Sequence, residues 1–100
     1  MGLIVIEQWQ SVGDSSTGLF PLHKDLVAVT RDATTTTTSE TVVLDKRTTH
    51  ISVYSDDVLH RVAVNSAVAD DLYFVVGAGS RRDVAVPAAR GATISYRADS

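Results

Sequence analysis

The chain has 100 residues, a formal net charge of −3 and no cysteine. One hundred residues make a single domain with a modest core, the missing cysteines exclude disulfides and thiolate metal sites, and the acidic balance argues against nucleic acid, whose binders need a basic face. Hydrophobic residues are 44% and charged residues 21%, a folded rather than a disordered composition, and Val and Thr, whose branched Cβ favours strands, dominate.

Leu3, Ile4, Val5 and Ile6 follow one another, and Glu7, Gln8 and Trp9 complete a run of strand length. A run with no polar face predicts a strand that is covered on both sides or packs on another subunit. Read as an N-terminus, it lacks the basic region and long apolar stretch of a signal peptide or membrane span. Ile6 also stands where a myristoylation motif beginning at Gly2 needs Ser or Thr. Residues 10–18 form a polar loop. Leu19, Phe20 and Leu22 make a short apolar patch in which Pro21 denies a central-strand role.

Residues 26–31 alternate and predict a second strand. The five threonines at 34–38 read as an extended connector or the start of an edge strand, residues 41–44 as a strand, and Asp45, Lys46 and Arg47 as a charged turn. Residues 49–65 read as a β-hairpin. Ile51 and Val53 alternate with Ser52 and Tyr54, Asp56 and Asp57 mark the reversal, and Val58, His60, Val62 and Val64 share one face of the returning strand. Further strands are predicted at 72–76, 82–86 and 93–97, separated by a small polar connection at 66–71, a glycine turn at 77–80 and a turn at 87–91.

About eight short strands at intervals of roughly ten residues, with no helical periodicity, predict an all-β fold: an antiparallel β-sandwich, jelly-roll or immunoglobulin-like. Residues 1–31 are expected to be a strand and arm region packing on the domain or on a neighbour, and residues 32–100 the sandwich core of what is one domain overall. Burial should centre on Ile51, Val53, Val62, Val64, Leu72, Phe74, Val84, Val86, Ile94 and Tyr96.

Motifs with chemistry are sparse. His50 and His60 lie on the two strands of the expected hairpin and could face each other, while His23 stands apart. A metal site needs three or four convergent ligands, so surface or half-buried structural roles are expected for all three, with no metal and no cofactor. The pairs Asp56-Asp57 and Asp70-Asp71 lack the D-x-D-x-D-G spacing of a calcium loop and read as turn initiators. Residues 77–82 (GAGSRR) lack the lysine and following helix of a phosphate loop. No G-x-S-x-G elbow occurs and no acid–base set converges, so no enzyme is expected. Trp9 and Phe20 lie outside the regular strand series and are natural interface anchors. Leu3, Ile4, Val5, Ile6, Trp9 and Phe20 are therefore the expected partner-contacting residues. Tyr54 and Tyr73, beside acidic turns, are the candidate platforms of the alternative reading, a carbohydrate-binding or adhesin-like module.

From residue 34 to residue 98 the chain resembles small β-rich virion proteins of tailed bacteriophages. The resemblance rests on a Thr-rich lead-in (34–41), a strand with a charged turn (42–46) and Val53-Tyr54-Ser55-Asp56 before a His-containing apolar strand (59–64). An Ala/Asp segment (67–71), an aliphatic strand (72–76), a charged turn (81–84) and a V-P-A finish running to Ile94 follow. Asn65 stands where the pattern has Gly, and the loop after Pro87 is longer. Such proteins are often head-associated, and some decorate or cement the capsid. The resemblance thus implies a structural role on the capsid surface, reached from the host cytoplasm during assembly. It also implies the major capsid protein, neighbouring virion proteins and the chain's own copies as partners, with no nucleic acid and no membrane.

Overall fold

A computed structural model describes residues 2–11, 23–65, 73–86 and 91–99. Its eight strands are β1 (Gly2–Ser11), β2 (His23–Thr35), β3 (Glu40–Val43), β4 (His50–Ser55), β5 (His60–Val64), β6 (Phe74–Val76), β7 (Arg81–Ala85) and β8 (Thr93–Ala98). They form two four-stranded antiparallel sheets, in the orders β2-β1-β4-β7 and β3-β8-β5-β6. All eight predicted strands are present, and the fold is the expected all-β sandwich.

The pairing differs from expectation at the centre. Residues 49–65 are not a hairpin. β4 is hydrogen-bonded by β1 on one side and β7 on the other, so it has no free edge for β5. β5 is likewise held between β6 and β8 in the opposite sheet. The link at Asp56 and Asp57 therefore carries the chain over the end of the sandwich. Of the paired strands in each sheet, only β1–β2 and β5–β6 are consecutive in the chain; every other connection changes sheet. This is the jelly-roll arrangement, with β1 in the place that a last strand would fill, and not the immunoglobulin order.

The expected boundary between residues 31 and 32 falls inside β2, which continues to Thr35. β1 lies between β2 and β4, so the first residues are half of a sheet and not an arm laid upon it.

The core is the set of inward side chains of both sheets. Ile4, Ile6, Ile51 and Val53 meet Val62, Val76, Ile94 and Tyr96, with Leu44, Val86 and Ala92 closing the rim. Of the expected core, Val64, Phe74 and Val84 are only partly buried, and Leu72 lies outside the described residues. Ile4 and Ile6 are fully buried. They have no surface to offer a partner, which corrects their expected contact role: the alternation hidden inside the apolar run points them into their own sandwich.

Buried polar groups join the layers. Gln8 Oε1 accepts from the Asp45 amide and from Thr48 Oγ1, both at 2.8 Å, which anchors the β3–β4 turn to β1. Asn65 takes a left-handed conformation (φ 57°), which Asn tolerates better than most residues. It exchanges bonds with Thr93, its amide donating to the Thr93 carbonyl and its Oδ1 accepting from the Thr93 amide.

Candidate functional site

Of the residues singled out from the sequence, Leu3, Val5, Trp9 and Tyr54 lie on the outer face of the β2-β1-β4-β7 sheet. Along β1, Gly2, Ile4, Ile6 and Gln8 are buried, whereas Leu3, Val5, Glu7 and Trp9 are half-exposed. Register places Arg31, Val5, Tyr54 and Arg81 in one cross-strand row. The next row is Val29, Glu7, Ser52 and Asp83, and a third is Leu26, Trp9, His50 and Ala85.

The face divides in two. Its β4–β7 half is a closed polar network. Arg81 Nη1 donates to Glu7 Oε1 at 2.7 Å and to Ser52 Oγ at 3.1 Å, and Ser52 Oγ in turn donates to the Asp83 carboxylate. Tyr54 donates to Asp56 Oδ1 at 3.0 Å, and this bond is the main reason its phenol titrates above the ordinary value.

The β1–β2 half mixes apolar side chains with Glu7 and the exposed Arg31. Trp9 pairs with Leu26, and Glu7 pairs with Val29; Leu26 and Val29 are 49% and 51% exposed. Sequence reasoning missed Leu26 and Val29 as surface residues. Three positions apart on a regular strand, they should point to opposite faces. A β-bulge changes this: Gln8 pairs with Ala28 but Trp9 pairs with Leu26, so Val27 is the extra residue, and Leu26 and Val29 both turn outward. Glycine or proline, the sequence signals that would mark such a bulge, are absent from this stretch. Phe20 lies outside the described residues.

The opposite sheet also exposes large apolar side chains, at its two edges. Exposed Val43 sits on β3 at one edge, while Tyr73 and Val75 sit at the other, on or beside β6. The Arg61 guanidinium lies 5.0 Å over the Tyr73 ring and bonds Asp99 at 2.6 Å. Tyr54 and Tyr73, the candidate sugar platforms, are thus on different sheets, and Tyr73 already has a cation over one ring face.

The polar residues considered for chemistry are dispersed. His50 and His60 belong to different sheets and do not face each other, because the hairpin that would have paired them does not exist. The side chain of His23 and the pair Asp70-Asp71 lie outside what the structure describes. Asp57 Oδ1 accepts from the Leu3 amide at 3.2 Å, while Asp56 accepts from Tyr54, so the two neighbouring carboxylates serve different partners. Gly79 (φ 74°) makes the turn before β7. Arg81 and Arg82 then diverge, one to Glu7 and the other 5.0 Å over the Phe74 ring. Among the described residues no three of His, Asp or Glu gather as metal ligands.

His60 differs from expectation. It is fully buried, not at the surface or half-buried. Its Nε2 lies 2.7 Å from Thr35 Oγ1 and its Nδ1 lies 2.9 Å from Ser55 Oγ, and both hydroxyls are buried too. Each ring nitrogen has a partner, so the cluster is a satisfied polar joint between the sheets.

The fold is a jelly-roll sandwich whose outer β1–β2 face exposes Leu26 and Val29. Compared with protein-family models, with curated proteins and with solved structures, the chain matches none.

Proposed function

We propose that the chain is a structural protein of a tailed-phage virion, a capsid decoration or other minor head-associated protein, and that it binds the shell through the outer β1–β2 face. The observation that carries this reading is the exposure of Leu26 and Val29 on the same outer face as Trp9. Burying apolar side chains of this size yields about 1.5–3 kcal/mol each when complete. Two or three such residues give a weak single contact. A repeating lattice turns many weak contacts into firm attachment, since each bound copy raises the effective concentration of the next. The partners are then the major capsid protein or neighbouring virion proteins, with further copies of the chain alongside, on the capsid surface. Mass spectrometry of particles produced by the genome that encodes the chain tests this. The protein should be present in many copies per particle, and its absence from the particles would overturn the reading.

A further inference from the structure

We propose that His60 is an acid-released bolt, whose protonation loosens one end of the sandwich while the two sheets stay packed at their centre. The geometry is specific to that end. Thr35 is the last residue of β2 and Ser55 the last of β4, both in one sheet, and His60 is the first residue of β5 in the other. One imidazole therefore joins three strand ends across the layers. The start of β1 rests on the same joint. A Cβ on Gly2 would collide with Val58 Cγ2, stand 2.8 Å from Thr35 Oγ1 and 3.3 Å from His60 Cε1, so the backbone is packed directly on the cluster. The Leu3 amide and carbonyl are both taken by the β4–β5 link, through Asp57 Oδ1 and the Asp56 amide.

A neutral imidazole donates at one nitrogen and accepts at the other, so one hydroxyl must donate to it. Proton uptake removes that acceptor and forces the hydroxyl to turn away, and it places a charge where water cannot reach. The groups around the ring decide whether this is tolerated. Gly2 of β1, Val76 of β6 and Ala98 of β8 bring no charge to it. Asp32 of β2 and Asp57 of the link favour the cation, as does the Val58 backbone, but burial outweighs them and holds the imidazole below its ordinary value of 6.5. Asp32 is engaged by Tyr96 and Thr34, Asp57 by the Leu3 amide, Asp56 by Tyr54, and Asp99 by Arg61.

The sign follows. The unfolded histidine binds a proton near pH 6.5 and the folded one only below that, so stability is complete above pH 6.5 and falls as the pH drops through the interval. The experiment is amide hydrogen exchange on the intact chain at neutral and mildly acidic pH, corrected for intrinsic exchange. The amides of Leu3, Asp56, Ala98 and Asp99, which close this end, should lose at least tenfold protection relative to Ile6, Val53 and Ile94 in the sheet centres. His60→Gln should abolish that difference. Uniform loss across all seven amides, or a His60→Gln protein with the same acid response, overturns the proposal. Should that variant fail to fold, the NMR titration of His60 in the unaltered chain decides. A midpoint below 6.5, tracked by the Leu3 and Asp56 amide shifts, upholds the proposal, and an ordinary midpoint without those shifts overturns it.

Discussion

The phenol of Tyr96 on β8 donates to the Asp32 carboxylate on β2 at 3.0 Å, so each sheet supplies one end of a hydrogen bond that crosses the sandwich. Both groups are tuned by their surroundings. The Thr34 amide, then the Tyr96 and Thr34 hydroxyls, hold Asp32 below its ordinary value against the opposing effect of burial. Burial first, and the Asp32 bond second, push Tyr96 up to about 12. Tyr96→Phe should cost about 1.5–3 kcal/mol in urea unfolding, the range for a hydrogen bond to a charged acceptor.

The same pair sets an alkaline limit. Between pH 10 and about 12 the unfolded tyrosine ionises and the folded one does not, so stability should decline across that interval. Urea midpoints measured through it should fall in the unaltered chain and fall less in Tyr96→Phe. Asp32 acts at the other extreme. Its contribution is present above the ordinary value of 3.8 and is lost as the pH falls through its lower folded value, well separated from the His60 interval.

Gln8 offers a sharper test of buried polar pairing. Its carbonyl oxygen is the acceptor for both the Asp45 amide and the Thr48 hydroxyl. Gln8→Leu would leave both donors without that partner under a nearly closed surface. Each orphaned donor costs about 1–3 kcal/mol, so a combined loss of about 2–6 kcal/mol is expected, against which the added apolar packing is a minor offset. Urea unfolding measures it, and a loss below about 1 kcal/mol would mean that water replaces the amide.

These residues also show where the sequence was readable. All eight strands were legible, because alternation survives in short windows and glycine or charged turns separate them. The pairing was not. Adjacent strands usually pair, so 49–65 read as a hairpin, yet β1, forty residues earlier, already occupies one side of β4. His60 sat on the correctly assigned core face, but its two hydroxyl partners lie 25 and 5 residues away, one of them inside a threonine run that looked like plain connector. The surface patch failed for a different reason: a bulge reversed the alternation in β2.

Core truncations should follow the observed burial rather than the expected one. Ile6 is fully buried on an internal strand, so Ile6→Ala should cost about 2–5 kcal/mol. Phe74 is only partly buried, with Arg82 over its ring. Phe74→Ala should therefore fall short of the 3–5 kcal/mol typical of a fully buried ring, at about 1–3 kcal/mol. Urea unfolding of both variants checks the order, and an equal or larger loss at Phe74 would contradict the burial assigned here.

Deleting the first twenty residues cannot test the contact surface, because it removes β1 from between β2 and β4 and should abolish folding. Point changes on the outer face can. Leu26→Thr with Val29→Thr replaces two exposed aliphatic side chains by residues that still favour strands. Surface changes of this kind shift stability by only about 0.5 kcal/mol each, so the urea midpoint should scarcely move. Binding to particles should weaken, because the contact loses the apolar area that drives it. The loss should be much larger on intact particles than in any isolated one-to-one contact, since avidity multiplies each small deficit over many sites. Co-sedimentation with purified particles measures the first quantity and sedimentation velocity of the free protein the second. A double variant that folds normally and still binds particles as the unaltered chain does would remove the β1–β2 face from the interface. The search would then move to the loops around Asp56 and Asp57 and around Gly77 and Arg82.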